Sequence, residues 1–371
     1  MLLGGVRMKA CYVHVPFCKD ICAYCDFTRC RYHKGLADKW LNRITKEISQ
    51  KLKNSSLETL YIGGGTPTAL SYRQLQTLLE SLDPYRKQVK EYTVEANIES
   101  LDAGIIRLLH EHGVNRISLG VQSLQPVLLD YIHRHHRKED IVKCLDLLHE
   151  NGMDNISIDL IYGLPKQTLA MWKQDLKEIV EHFSISHISL YALTIEEHSQ
   201  FGRDGVKNID SDVEADMYAY AMEMLEKHGF YQYEISNFAK KGFESKHNQM
   251  YWKYEDFCGI GCGASGKENH IRYDNTKNLH TYITEGSSAD VTFLSKEDEM
   301  FEMIMMSLRM KKGISLSAFY DRFHENLEEY YRNAIQKNVE KNLLIVEDDH
   351  LRVTKQGMLL LHDVLVDFLS E

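Results

Sequence analysis

A chain of 371 residues with 43% hydrophobic and 26% charged residues has an ordinary globular composition and room for one large α/β domain plus a smaller one. Its net charge of −10, with no basic stripe to offset phosphate repulsion, argues against a nucleic-acid partner. No stretch approaches the roughly 20 apolar residues of a bilayer span, and Met1–Met8 lacks the apolar run of a signal peptide. No integral membrane segment is therefore expected, and a cytoplasmic location is. Met8 offers an alternative start, which makes the first seven residues a dispensable extension. In the cytoplasm the eight cysteines read as thiols or metal ligands rather than disulfides.

In chain order, short β-rich runs are predicted at Ala10–Val15, Thr59–Ile62, Tyr92–Ala96, Asn115–Val121, Asn155–Ile161, His187–Ala192 and Gln232–Ser236. Most read as continuous apolar or β-branched runs, the pattern of parallel strands buried on both faces. Amphipathic helices are predicted between them, among them Leu36–Leu52, Tyr72–Leu82 and Met171–Phe183. One junction recurs: Gly113, Gly152 and Gly229 each close a helix just before a strand. Glycine takes the left-handed conformation that ends helices cheaply. The repeated unit predicts β–α crossovers and a barrel or doubly wound sheet over residues 1–235.

From 236 to about 290 the chain is rich in Gly, Asn, His and aromatic residues and is expected to be irregular, covering one face. Residues 291–371 return to helices, at Glu297–Met310, Ser317–Phe323 and Leu327–Lys341. A strand pair, Leu343–Glu347 with His350–Val353, and a last helix over Lys355–Leu369 follow, which suggests a small winged-helix-like domain. With no low-complexity linker, the parts are expected to pack together.

Cys18, Cys22 and Cys25 lie in C-x3-C-x2-C spacing directly after the first strand. Thiolates ligate iron–sulfur clusters, which normally take four, so three on one loop leave one iron open to an outside ligand. Zinc stays open as an alternative at this point, with His14, Asp26 or Cys30 as a fourth ligand. Gly63-Gly64-Gly65-Thr66-Pro67 follows the second strand, where glycines let the backbone approach a ligand. Glu95, Gln122, Arg134 and Asp159 stand at or just after strand ends, the rim that faces the active site in a parallel barrel. Buried carboxylates need partners, so Glu95 and Asp159 together suggest a ligand pocket.

C-x3-C-x-aromatic-C after a first barrel strand resembles the signature of the radical S-adenosylmethionine superfamily, here Cys18, Cys22, Tyr24 and Cys25. Tyr12-Val-His-Val-Pro16, Gly63-Gly-Gly-Thr-Pro-Thr68, Gly120-Val-Gln-Ser123, Asp159-Leu-Ile-Tyr-Gly-Leu-Pro165 and Gly259-Ile-Gly-Cys-Gly-Ala264 extend the resemblance to the HemN/HemW branch. The resemblance implies a partial, six-stranded TIM-like (β/α) barrel and a [4Fe–4S] cluster on Cys18, Cys22 and Cys25. It further implies S-adenosylmethionine at Tyr12, Tyr24, Gly64, Gly65, Thr66, Glu95, Gln122, Arg134 and Asp159.

Within the branch, two functions compete: oxygen-independent coproporphyrinogen III oxidase, and haem chaperones that deliver haem. The oxidase pattern carries a cysteine where this chain has Phe27, and a longer N-terminal region before the first strand. His247-Asn-Gln-Met-Tyr-Trp252 resembles the haem motif of the chaperones, which makes His247 the expected haem ligand. The reading is a haem chaperone carrying haem as cargo to a haem-accepting protein, with membrane-bound respiratory proteins among the candidate acceptors and peripheral contact with the membrane. The alternatives are the oxidase or another radical enzyme acting on haem. The run His133–Arg137 reads as a basic loop with Arg134 its important member. Cys30, Cys144, Cys258 and Cys262 show no metal spacing, and Cys11 is expected to be buried in the first strand.

Overall fold

The computed structural model describes residues 8–369; the extension ahead of Met8 lies outside them. Six strands follow one another in the order of the chain: β1 (Ala10–Val15), β2 (Thr59–Gly64), β3 (Glu91–Asn97), β4 (Arg116–Gln122), β5 (Ile156–Tyr162) and β6 (His187–Ala192). Each pairs in parallel with the next, as the helix–glycine–strand junctions predict. Gly113, Gly152 and Gly229 hold φ of 80°, 77° and 81°, the left-handed closure.

The strands are not apolar on both faces. Cys11, Val13, Val15, Leu60, Ile62, Tyr92, Val94, Ile117, Leu119, Ile156, Ile158, Ile188 and Leu190 pack outward into one core with Trp40, Ile44, Leu75, Leu79 and Trp172 of the helices. The alternate positions are polar: Tyr12, His14, Thr59, Tyr61, Glu91, Thr93, Glu95, Arg116, Ser118, Ser157, Asp159, His187 and Ser189. Successive strand residues point to opposite faces, so the barrel lumen is lined with hydroxyls, carboxylates and imidazoles. That lumen is wired together. Ser157 Oγ lies 2.7 Å from His187 Nδ1, whose Nε2 lies 2.9 Å from the Tyr233 hydroxyl. Arg116 is 2% exposed among them, and its Nε has no hydrogen-bond partner.

Two expectations change. The strand expected at Gln232–Ser236 does not continue the parallel series. Instead β7 (Asn237–Ala239) runs antiparallel to β6 and pairs with Tyr231–Gln232. The intervening backbone is taken by the C-terminal segment: Ile235 N donates to Arg309 O and Lys311 N to Tyr233 O. Residues 236–290 are also far from irregular. β8 (Phe257–Ile260) pairs in parallel with β1 on its free edge, and Ser265–Glu268, Ile271–Asn275 and Ala289–Phe293 continue the sheet as an antiparallel meander. The result, among the described residues, is one twelve-stranded sheet. Its register depends on glycine: a Cβ on Gly259 would sit 1.9 Å from Ser265 O, and one on Gly266 2.2 Å from the Tyr273 ring.

A second apolar cluster, including Met300, Ile304, Phe319, Phe323, Leu351 and Phe368, sits in the C-terminal part. There Ile314–Ser315, His350–Val353 and Leu344–Glu347 form a three-stranded antiparallel sheet beside helices, the winged arrangement expected. The helix predicted over Leu327–Lys341 breaks at Tyr331, and the last helix breaks at Leu360. The two parts are in contact. Tyr254 donates to Glu302 at 2.7 Å, Arg272 pairs with Glu302 at 2.7 Å, and Ser307 donates to Trp252 O at 3.1 Å. Among the described residues no helix is long and apolar enough to cross a membrane.

Candidate functional site

The loop after β1 is closed by a small parallel clasp, Phe17–Cys18 against Cys30–Arg31, with Cys30 N donating to Pro16 O and Tyr32 N to Cys18 O. Inside it, Cys25 N donates to Cys22 O, and Arg29 donates to the carbonyls of Phe27 and Cys25. The middle of the loop is pinned where Ala23 N donates to Ile132 O and Ala23 O accepts from Phe201 N. Cys18, Cys22 and Cys25 are all free thiols on this loop and all line one cavity.

The glycine run at the end of β2 lies against that loop. A Cβ on Gly65 would fall 2.8 Å from Phe17 O and 3.0 Å from Cys18 Sγ; one on Gly64, at φ 112°, would meet the His14 ring at 2.4 Å. Thr66 Oγ1 donates to Cys18 Sγ at 3.7 Å and accepts from Asn97 Nδ2 at 3.1 Å. The glycines therefore leave a narrow strip of backbone between the thiol loop and the strand rim.

On that rim Glu95 accepts from the Tyr61 hydroxyl at 2.8 Å and from Gly64 N at 3.0 Å. Burial raises its carboxyl to about 7. Asp159, also raised by burial, accepts from Ser118 at 2.9 Å and from Ser157 at 3.4 Å. Two carboxyls that ionise reluctantly in one cavity suit a cationic ligand, whose charge would offset their burial.

The cavity has a volume of about 1040 Å³, at the top of the usual range for small-molecule sites. Tyr12, Cys18, Cys22, Tyr24, Cys25, Gly64, Gly65, Thr66, Glu95, Gln122 and Asp159 all line it. Gln122 reaches it from a bulge in β4, at φ 69°. Two predicted residues do not reach it. Arg134, 4% exposed, turns into a small neighbouring cavity with Cys22, Thr66, Asn97 and Glu99, and donates to Gly120 O. Its Nε is buried without a hydrogen-bond partner.

His247 is placed behind the wall rather than on it. It is 1% exposed, Nδ1 lies 2.9 Å from Thr59 Oγ1 and Nε2 lies 2.7 Å from the Tyr251 hydroxyl, so neither nitrogen is free for iron. Sequence reasoning also missed residues that shape the site: Tyr61, Asn97, Ser118 and the buried Arg116. The signal available was alternation, most of the second residues in β2 to β6 being polar.

The donor set fits an iron–sulfur cluster with an open iron. His14, a candidate zinc ligand, has both ring nitrogens engaged, with Tyr12 at 3.0 Å and Thr28 O at 2.7 Å. Cys30 is held in the clasp rather than in the loop. Among the described residues no three potential ligands converge on a single ion; a cluster needs no such convergence, because each thiolate takes a different iron. Burial pushes the Cys18 thiol up to about 12, so metal binding must displace its proton.

Residues 12–179 match the model of the radical SAM superfamily, and residues 294–360 match the HemN C-terminal domain. The heme chaperone HemW of Lactococcus lactis is 38% identical, with 98% of each chain covered, and that of Bacillus subtilis is 34% identical over 98% of this chain and 100% of the relative. The structure of the coproporphyrinogen III oxidase HemN from Escherichia coli superposes with a TM-score of 0.85 at 21% identity, covering 98% of this chain and 90% of that one, which shows a shared fold. With relatives of this similarity along its whole length, the chain belongs to the HemN/HemW branch of the radical SAM superfamily.

Proposed function

We propose that this chain is a haem chaperone. It holds a [4Fe–4S] cluster on Cys18, Cys22 and Cys25, binds S-adenosylmethionine beside it, and carries haem to an acceptor protein. The observation that carries the reading is the single cavity bounded by the thiol loop, the glycine strip and the aromatic end of helix Lys246–Trp252. When bound, the cluster supplies an open iron for an amino-acid headgroup and an electron of low potential.

The chain's own residues do the rest. Gly64, Gly65 and Thr66 present backbone to a methionine moiety. Glu95 offers a carboxylate to its ammonium group, while Asp159, Gln122, Tyr12 and Tyr24 line the space left for the nucleoside. Arg134, a buried cation sharing the small neighbouring cavity with Cys22, backs the carboxylate end. Haem is cargo at the segment carrying His247, where Tyr251, Trp252 and Met306 give the cavity its aromatic and thioether wall. We assign residues 1–235 to the barrel, 236–290 to the cover that bears this segment, and 291–371 to the C-terminal domain. The location we assign is cytoplasmic, with contact at a membrane surface when the acceptor resides there.

The test is anaerobic reconstitution followed by haem transfer. The expected result is about four irons per chain, a haemin-dependent Soret shift, and passage of that haem to an apo-haemoprotein. Tight zinc binding in place of iron would overturn the cluster assignment. Conversion of coproporphyrinogen III under reducing conditions would replace the chaperone reading with the oxidase.

A further inference from the structure

We propose that ferric haem is ligated by the phenol oxygen of Tyr251, and that His247 is a positioning residue behind it. The proposal rests on the haem-carrying function above and names the atom that takes the iron.

The helix Lys246–Trp252 is fixed at its start. Ser245 accepts from Asn248 N at 3.2 Å, and one buried carboxylate, Glu91, accepts from Ser245 Oγ, Lys246 N and His247 N at 3.2, 2.8 and 2.9 Å. The His247 ring therefore points inward, stacked on Tyr61 with ring centroids 5.0 Å apart. Tyr251 stands one turn on, on the same helix face. It lines the cavity beside Trp252, and its ring edge packs on Phe257 at 4.6 Å.

Hydrogen-bond capacity separates the two candidates. A neutral imidazole has one donor and one acceptor, and both nitrogens of His247 are already used, by Thr59 and Tyr251. A phenol oxygen bonded to one nitrogen keeps a lone pair, and phenolate is an established axial ligand for ferric haem. With Thr59 donating to Nδ1, the Nε2–H donates to the phenolate oxygen and holds it in place.

Atoms and charge balance without a redox step. Aquo-ferric haem enters, the Tyr251 O–H bond breaks, and the Fe–O bond forms. Water leaves the iron and carries the proton to solvent as hydronium. No electron moves. The imidazole keeps its single proton and changes only which nitrogen bears it.

The full chain, reconstituted with its cluster under anaerobic conditions, is titrated with ferric haemin and examined by absorption and resonance Raman spectroscopy. Wild type is expected to show a ferric-phenolate charge-transfer band with phenolate ring modes. Tyr251→Phe, which keeps the ring packed on Phe257, is expected to lose both and to bind haemin at least about tenfold more weakly. Its iron content and melting temperature should stay at the wild-type values. His247→Gln retains the phenolate modes at shifted frequency, with a smaller loss of affinity. An imidazole-type spectrum that survives Tyr251→Phe and disappears in His247→Gln overturns the proposal while the chaperone reading stands. Failure of wild type to take up haemin overturns both.

Discussion

The Tyr61 hydroxyl donates to Glu95 Oε1 across 2.8 Å, while the amide of Gly64, three residues along the same segment, donates to Glu95 Oε2. One strand end thus grips both oxygens of a carboxyl that burial holds at about 7, against an ordinary value of 4.5. Because the folded value is raised, the ligand-free protein keeps a proton that the unfolded chain gives up. Its stability should fall as pH rises from about 4.5 to about 7 and level off above.

A cationic ligand beside Glu95 reverses that dependence, since it favours the ionised carboxylate. S-adenosylmethionine affinity should be highest above about pH 7 and fall below it by up to tenfold per pH unit. Equilibrium dialysis across that range, with Glu95→Gln for comparison, checks this; the variant should bind weakly and with a flat profile. A wild-type affinity that does not change with pH would remove Glu95 from the ammonium site.

Arg116 supplies positive charge to the same lumen and lowers both Glu95 and Asp159. Arg116→Met should move the midpoint of the affinity profile to higher pH. Loss of one member of a buried charge set also destabilises, by about 3–5 kcal/mol. Thermal unfolding reads the second effect and dialysis the first, so a simple folding defect is separable from a shifted titration.

The glycine strip should tolerate no side chain. Gly65→Ala places a methyl 2.8 Å from Phe17 O, a backbone atom that accepts from Thr66 N, and 3.0 Å from Cys18 Sγ. Gly64→Ala adds a left-handed penalty of about 1–2 kcal/mol to its collision with His14. Reconstituted iron per chain should fall more for Gly65→Ala, and melting temperature more for Gly64→Ala.

The cysteines divide by position. Alanine at Cys18, Cys22 or Cys25 should abolish the cluster absorption, whereas Cys30→Ala and Cys144→Ala should retain it. Iron and sulfide analysis after anaerobic reconstitution gives the answer, and loss of the cluster in Cys30→Ala would bring the clasp cysteine into the ligand set.

The barrel was legible because its cues are local. A helix that ends on Gly113 or Gly152 and the spacing of Cys18, Cys22 and Cys25 need no knowledge of distant residues. What stayed hidden depends on partners far along the chain. His247 reads as an open ligand until Thr59, 188 residues away, is seen to occupy its Nδ1. Arg116, at the start of β4, shows its part in the site only once the lumen closes around it. The meander after Asn237 was obscured by the same glycines that let its strands come together.

The clasp between Phe17–Cys18 and Cys30–Arg31 bears on how long the protein lasts in air. Its hydrogen bonds are all between backbone atoms, and none requires iron. Most of the loop-closure entropy is met before metal arrives, so oxidative loss of the cluster should leave an intact, refillable frame rather than a chain committed to degradation. Exposure to oxygen then becomes a reversible idling state, ended by a fresh supply of iron and sulfide.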